Sequence, residues 1–275
     1  MGSFKLRLRC MVTCVVGVLG MTLLASSCSC SSNDDNAVLN GALSYQQDEL
    51  KVKPFTKIEV ETVADVYYVQ NDTTQHRVDF DFSKIKDASM REQFKKNAIA
   101  VYRDGKVIIG LKGKVSGATK LNQGQRLCVY ITSPDLVKVT LEGVGLFHAD
   151  AINSDVFDID NEGVGNVNVK KMLVNKVSID NEGVGNVKVN DLQADRVNID
   201  NEGVGSVNVG RFKGGKMEID NEGVGEVQAN VDCQSVYANL DGVGSIKLSG
   251  VTRHLNKEKN GVGSIKISEL KVLGK

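Results

Sequence analysis

The sequence is poor in the residues that make catalytic clefts and sugar-stacking platforms. It has no tryptophan, three histidines and two prolines among 275 residues, and aromatic residues make up 5% of the chain. Few prolines, together with 28 glycines and many valines, favour regular strands joined by glycine corners over a helical core. The sequence therefore points to an all-β domain rather than to a helical one.

Excess positive charge is also lacking. Lysine and arginine number 34, and so do aspartate and glutamate, which gives a formal net charge of zero. Removal of residues 1–27 would take away three basic residues and no acidic one, and would leave the chain slightly acidic. This balance gives no electrostatic reason to expect nucleic acid as a partner.

The first residues have the features of a bacterial export signal. Three basic residues, Lys5, Arg7 and Arg9, precede an apolar run at 11–25 that is too short to span a membrane stably. The sequence from Leu24 to Cys28 resembles a lipobox, in which the cysteine is lipidated after cleavage. We therefore expect a signal peptide at 1–27, lipidation at Cys28 and anchoring to the outer membrane, on its periplasmic side or at the cell surface. An ordinary secretory peptide is the alternative.

Residues 28–50 are polar and lack periodicity, which predicts a flexible tether. The pair Asp34 and Asp35 resembles the surface-export signal of Bacteroidetes lipoproteins, although a solvated linker fits as well. Beyond the tether only Cys128 and Cys233 remain, about five repeats apart, so they are predicted to be buried free thiols rather than a disulfide.

A repeat organises the second half of the chain. The heptapeptide Ile-Asp-Asn-Glu-Gly-Val-Gly begins at Ile159, Ile179, Ile199 and Ile219, a strict period of 20. Degenerate copies at 142–145, 241–244 and 260–263 bring the number to seven. Seven copies of a short, alternating unit predict a right-handed parallel β-helix, or β-solenoid, with coils of about 20 residues.

We divide the folded domain, residues 51–275, into irregular N-terminal strands at 51–140, seven Gly-Val-Gly coils at 141–265 and a C-terminal cap at 266–275. Lys257 and Lys259 occupy apolar positions of the last coil and predict a polar end. One short helix is expected within 84–97, over or beside the first coils. Alternation predicts the N-terminal strands at 57–61, 66–70, 77–82, 106–111 and 126–132.

The polar residues of the repeat fall into columns. One column shares the parity of the buried valines and isoleucines, and its amides are expected to bond along the stack. It consists of Asn161, Asn181, Asn201 and Asn221. Two acidic columns have the outward parity, and they consist of Asp160, Asp180, Asp200 and Asp220, and of Glu162, Glu182, Glu202 and Glu222.

Like charges on neighbouring strands repel, so something must reduce the repulsion between carboxylates within each acidic column. Three interpretations stay open: a solvated acidic face, a site for Ca²⁺, whose oxygen ligands such columns supply, and a docking strip for a basic partner. No other cofactor is expected. The glycine–aspartate spacing of calcium-binding β-rolls is absent.

The valine between the paired glycines, from Val144 to Val262, is expected to be turned into the core by the bend. If it is not, the valines form an exposed apolar stripe suited to a partner.

No catalytic constellation emerges. The carboxylates repeat identically, whereas a catalytic pair requires two different environments. His76, His148 and His254 stand in unrelated contexts without metal-ligand spacing.

The order of several motifs resembles the GIN domain, the head domain of putative auto-transporter adhesins in Bacteroidetes lipoproteins. Pro54-Phe55 opens a strand, Val129 to Thr132 precedes Pro134-Asp135-Leu136, and serial Gly-x-Gly coils follow. The similarity spans about residues 50–270, and it implies a β-helical fold and an envelope location without assigning any binding residue.

These observations predict an adhesin-like, non-catalytic envelope lipoprotein that contacts a protein or glycan partner through a repetitive surface. A calcium-binding structural protein is the first alternative. A carbohydrate-active β-helix enzyme, which would need an uneven carboxylate cluster in a groove, is the second.

Overall fold

The computed structural model describes residues 52–122 and 124–274. The predicted signal peptide, Cys28 and the tether lie outside the described residues. The described part contains one α-helix, α1 (Ala88–Asn97), and a short 3₁₀ turn at Ala118–Lys120. Its strands are β1 (Lys57–Val60), β2 (Val63–Gln70), β3 (Arg77–Asp81), β4 (Ala98–Arg103), β5 (Lys106–Leu111), β6 (Leu127–Ser133), β7 (Lys138–Leu141), β8 (Val144–Asn161), β9 (Val164–Asn181), β10 (Val184–Asn201), β11 (Val204–Asn221), β12 (Val224–Leu240), β13 (Val243–Lys259) and β14 (Val262–Val272).

The repeats build the predicted all-β solenoid. Strands β8 to β14 follow one another in a single parallel stack, and each pairs with its neighbours at equivalent positions. Val187 of β10, for example, lies opposite Val167 of β9 and Val207 of β11. The 20-residue period therefore becomes one coil of about seven, and the prediction of the fold class is confirmed.

Alternation places a continuous apolar core inside the stack. In β10, Val187, Val189, Val197 and Ile199 are each 2% exposed or less. Burial of such a side chain contributes roughly 1.5–3 kcal/mol, and each one also packs against its equivalents above and below. A coil therefore depends on its neighbours for stability, as expected of a repeat protein.

Bends divide each coil into sides. In β10 the alternation is interrupted at 190–191 and at 195–196, where two consecutive residues face outward before the next inward residue. Leu192 and Ala194 form a short inward side between these two bends. The corner that contains Gly-Val-Gly keeps the alternation unbroken.

The N-terminal region extends the solenoid and then closes it. Strand β1 pairs with β7 and β5, and β2 pairs with β8 and β6, all in parallel, so β1 and β2 act as a coil without the repeat motif. Antiparallel β4 and β3 cover β5 and β6. Strands β4 and β7 are not among the strands that alternation predicts, and the coil formed by β1 and β2 lacks the repeat that would have predicted it.

The predicted short helix is α1. Asp87 caps it, because its carboxylate accepts a hydrogen bond from the Met90 amide. Phe94 is fully buried and joins the core of the N-terminal strands. The helix therefore belongs to the closed end of the solenoid.

At the other end, β14 pairs with β13 only as far as Thr252. Lys257 and Lys259 lie opposite Ala238 and Leu240 of β12, which are buried, yet both lysines are exposed. Charged residues at inward positions disfavour the addition of another strand. The lysines thus form the polar end that the sequence predicts.

The asparagine column is inward, as predicted. All four side chains have no solvent exposure. The Nδ2 group of Asn161 donates to Asn181, that of Asn181 to Asn201 and that of Asn201 to Asn221, with N···O distances of 2.7, 2.6 and 2.8 Å. Each coil thus binds the next through a buried amide as well as through its backbone.

We predict that Asn201→Ala destabilises the domain by about 2–6 kcal/mol, because it leaves two buried amide groups without partners at roughly 1–3 kcal/mol each. Urea unfolding followed by circular dichroism measures this change. Asn208→Ala is the matched control, since Asn208 makes one exposed bond of 3.2 Å to Gln228. Equal midpoints for the two variants would show that the buried amides do not stabilise the stack.

Candidate functional site

Six valines of the Gly-Val-Gly corners form a line on the outside of the solenoid. Each lies opposite its equivalent in the next coil, at roughly 4.8 Å per coil. Five are between 51% and 53% exposed, and the last is 71% exposed. We call this line the valine stripe, and it consists of Val164, Val184, Val204, Val224, Val243 and Val262.

The expectation that the corner turns these valines into the core was wrong. The strand alternation continues through the corner, so Gly203 and Gly205 take the inward positions and Val204 the outward one. A Cβ on Gly203 would lie 2.2 Å from the Gly183 carbonyl oxygen, and one on Gly205 would lie 1.7 Å from the Gly185 oxygen. Backbones approach too closely here for an inward side chain, and the valine therefore faces solvent.

The stripe has polar borders. On one side lies the predicted glutamate column, whose members are exposed and stand two residues before the valines. On the other side lie Asn166, Asn186 and Ser206. The backbone and side-chain N–H groups of Asn186 donate to Asn166 Oδ1, and the backbone N–H and hydroxyl groups of Ser206 donate to Asn186 Oδ1. An apolar line with polar borders is typical of surfaces that bind partners.

The aspartate column is half-buried, whereas the glutamate column is exposed. Burial, followed by the charge of Glu202, Asp180, Glu222 and Asp220, raises the pKa of Asp200 to about 6. Its Oδ1 atom has no hydrogen-bond partner among the described residues. The half-buried carboxylates of this column therefore repel one another.

A cation is paired with the N-terminal end of the aspartate column. Lys138 forms an ion pair with Asp160 at the first repeat coil. Burial and the charges of Glu182 and Asp160 still raise the pKa of Glu162. Lys138 thus reduces the repulsion where the repeat meets the N-terminal strands.

A carboxylate cluster that the sequence analysis missed lies at this junction. Glu59, Glu61 and Glu142 place carboxylate oxygens within 4.8 Å of one another, the one such group of potential metal ligands among the described residues. Burial, a hydrogen bond to Glu59 and the charges of both neighbours raise the pKa of Glu61 to about 7. Lys106 pairs with Glu59. Glu59 and Glu61 lie two residues apart in a predicted strand, but only the coil formed by β1 and β2 brings them to Glu142.

This cluster is uneven, as a glycosidase would require, but a groove is also needed. Two open cavities lie on another corner of the coil, and their linings run between residues 173 and 253 without any of these glutamates. Neither of these two cavities is therefore a cleft beside the cluster.

The remaining sequence predictions concern single residues. Cys128 and Cys233 are buried free thiols, as predicted. His76 accepts a hydrogen bond from the Phe55 amide at 3.4 Å, and His148 lies 3.1 Å from Asp150. Within residues 52–122 and 124–274, no histidine belongs to a group that could hold a metal ion. None of the helices in these residues has the length and apolar character of a membrane span.

The chain matches a known protein family over most of its length. The family model described as "Putative auto-transporter adhesin, head GIN domain" matches residues 54–232 and 210–273. No functionally curated protein matches the chain.

Solved structures from Bacteroidetes share the fold. A putative adhesin from Bacteroides fragilis NCTC 9343 is 28% identical, with a TM-score of 0.67 over 78% of this chain and 93% of that one. A putative adhesin from Parabacteroides distasonis ATCC 8503 is 18% identical, with a TM-score of 0.52 over 79% and 94%. A putative lipid binding protein from the same strain is 18% identical, with a TM-score of 0.55 over 79% and 94%.

We predict that the protein becomes less stable as the pH rises through about 6, because the folded state raises the Asp200 pKa above its usual value of 3.8 and so holds a proton that the unfolded chain has released. That stabilisation is complete at low pH and lost above pH 6. Asp200→Asn should raise the melting temperature at pH 7.5 and reduce the difference between pH 5 and pH 7.5.

Asp72→Asn serves as the control, because Asp72 is exposed and lies outside the columns. It should leave the pH dependence of the melting temperature unchanged. Glu61 contributes in the same direction, so Asp200→Asn reduces the dependence without abolishing it. A difference between pH 5 and pH 7.5 that is the same in Asp200→Asn as in the wild type would contradict the assignment.

Proposed function

Because the chain belongs to the family described as "Putative auto-transporter adhesin, head GIN domain", we propose that it is an adhesin-like, non-catalytic module that binds a protein or glycan partner through its repetitive surface. The observation that supports this function is the valine stripe. Six half-exposed valines contribute little to the core, and soluble proteins rarely keep such a line without a partner.

Repetition supplies the binding mechanism. Each coil offers the same small apolar contact, and in β9, β10 and β11 it is bordered by a glutamate on one side and by a neutral polar residue on the other. A single contact of this size is weak, but several equal contacts on a rigid rod add when the partner is itself repetitive. Affinity should therefore depend on the number of coils more than on any one residue.

We predict that Val184→Thr combined with Val204→Thr weakens adhesion while leaving the melting temperature nearly unchanged, since each is a surface change of about 0.5 kcal/mol or less. Beads that display the domain are tested on immobilised polysaccharides and surface proteins. Val69→Thr combined with Val156→Thr is the control, because these valines are 59% and 41% exposed outside the stripe. Deletion of 182–201 removes one period, and it should weaken adhesion without unfolding the stack.

Unchanged adhesion in both the stripe variant and the coil deletion would rule out the stripe as the binding surface. Equal losses in the stripe and control variants would do the same, because they would indicate a general effect of surface hydrophobicity.

The proposed location is the outer membrane, through a lipid on Cys28, on its periplasmic side or at the cell surface. The support is the sequence from Leu24 to Cys28 behind a short apolar run. We predict that Cys28→Ala abolishes incorporation of labelled palmitate and releases the protein from membranes, whereas Cys30→Ala keeps both. The opposite pattern would move the anchor to Cys30, and retained label in both variants would exclude a lipidated cysteine at either position.

The alternative proposal is a calcium-dependent structural role for the acidic columns. The unpartnered Oδ1 atom of Asp200 and the repulsion around it favour this role. Melts of the wild type and Asp200→Asn, repeated in calcium and in chelator, separate the two proposals. A calcium-dependent rise that the variant lacks would support it, and no shift in either protein would exclude it.

A further inference from the structure

The bend at 195–196 carries one of the features that break the repetition of the coils. Outward residues at the first position of this bend lie between positions that are paired from coil to coil along β8 to β13, and the residue at this position in β11 is a glycine. The column consists of Asp155, Asn175, Asp195, Gly215, Gln234 and Arg253.

The missing side chain leaves a notch in the surface. A Cβ on Gly214 would lie 1.7 Å from the Ala194 carbonyl oxygen, and one on Gly215 would lie 2.4 Å from the Asp195 oxygen. No larger residue fits without moving the backbone, so the gap is built into this coil. Two open cavities of about 320 and 390 Å³ meet here and share Asp195 and Gln234.

The notch is strongly basic. Its rim carries a column of three cations from adjacent coils, Lys176, Arg196 and Lys216, which lie opposite one another. Lys213 and Arg253 line the second cavity, and the acidic residues of the two linings are Asp195 and Asp232. The linings therefore contain five cations and two carboxylates.

Most of these cations have no acidic partner. Among the described residues, Lys216 alone of the five forms an ion pair, with Glu218. Stacked like charges repel in this column as they do in the acidic ones. A negatively charged ligand would remove the repulsion and would meet a planar guanidinium between two ammonium groups, a combination suited to carboxylate or sulfate.

The two linings draw on five consecutive coils, β9 to β13, which corresponds to roughly 20 Å along the solenoid. Gln193, Gln234 and Ser235 add neutral donors and acceptors along this length. A small anion would occupy only one coil of such a surface. A chain with repeated anionic groups and hydroxyls would match its length, its charge and its neutral polar groups.

We propose that this basic notch binds a segment of an anionic polysaccharide that bears carboxylate or sulfate groups. The inference rests on the proposed binding function and narrows it to one ligand class and one corner of the coil. The valine stripe lies on a different corner, so the two surfaces can be tested separately.

The experiment measures binding of the purified chain to heparin, to polygalacturonate and to neutral dextran by surface plasmon resonance at 150 mM salt. We expect binding to one or both polyanions, none to dextran, and weaker binding at higher salt. Lys176→Gln combined with Arg196→Gln should weaken polyanion binding about ten-fold, because two exposed charge contacts are lost.

The matched control is Lys171→Gln combined with Lys188→Gln, which removes the same charge at exposed positions outside both linings. It should keep most of the affinity, and both variants should keep the wild-type melting temperature. An equal loss in the two variants would indicate nonspecific attraction and would overturn the inference.

Absence of polyanion binding would also overturn it, whether or not beads still adhere through the valine stripe. Adhesion that is lost in the stripe variant but kept in Lys176→Gln with Arg196→Gln would support the proposed function, and it would show that the basic notch is not needed for adhesion. If the wild type proves dimeric by light scattering, and the notch variant monomeric without polyanion binding, the occupant is a second copy of the chain and the inference fails.

Discussion

Parallel, in-register stacking governs every other property of this structure. It sets each side chain about 4.8 Å from the same position in the next coil, so a repeated sequence places like residues against like. Valine and isoleucine gain from this arrangement because they fill the core without gaps. Asparagine gains because its amide both donates and accepts, and one column can satisfy itself. Columns of aspartate or glutamate are destabilising, because identical charges then face one another.

The fold tolerates this repulsion in the acidic columns, and it compensates their charge unevenly. Lys138 pairs with one end, whereas burial and the charges of neighbouring carboxylates raise the pKa of Asp200, in the middle, to about 6. The basic column at Lys176, Arg196 and Lys216 lies on the same strands, four residues before the aspartates, and yet it does not neutralise them. Four extended residues span roughly 13 Å, farther than the screening length at physiological salt. The two columns therefore do not compensate each other's charge, and the counter-charge of each has to come from a bound proton, an ion or a partner.

The sequence predicted the features that depend on period and parity alone. The coil length, the inward asparagines, the polar end at Lys257 and Lys259 and the free thiols all follow from counting residues. The outward orientation of Val204 also follows from the alternation of residues along the strand, but the two glycines suggested a bend that would turn the valine inward. The glycines instead allow close contact between the backbones of successive coils. Glu59 and Glu61 were missed because β1 and β2 form a coil that lacks the repeat motif, so pattern matching could not align them with Glu142.

Repetition and its interruption have different consequences for binding. A surface that repeats identically, such as the valine stripe, cannot distinguish one coil from the next, so it can give avidity but little selectivity along the rod. A position where the repeat fails is unique, and Gly215 is such a position. Because a Cβ there would meet the backbone of the coil before it, the gap is fixed by the stacking itself rather than by a flexible side chain. We therefore expect the interrupted coil at Gly215 to determine selectivity for a ligand, and the uninterrupted valine stripe to determine the strength of attachment.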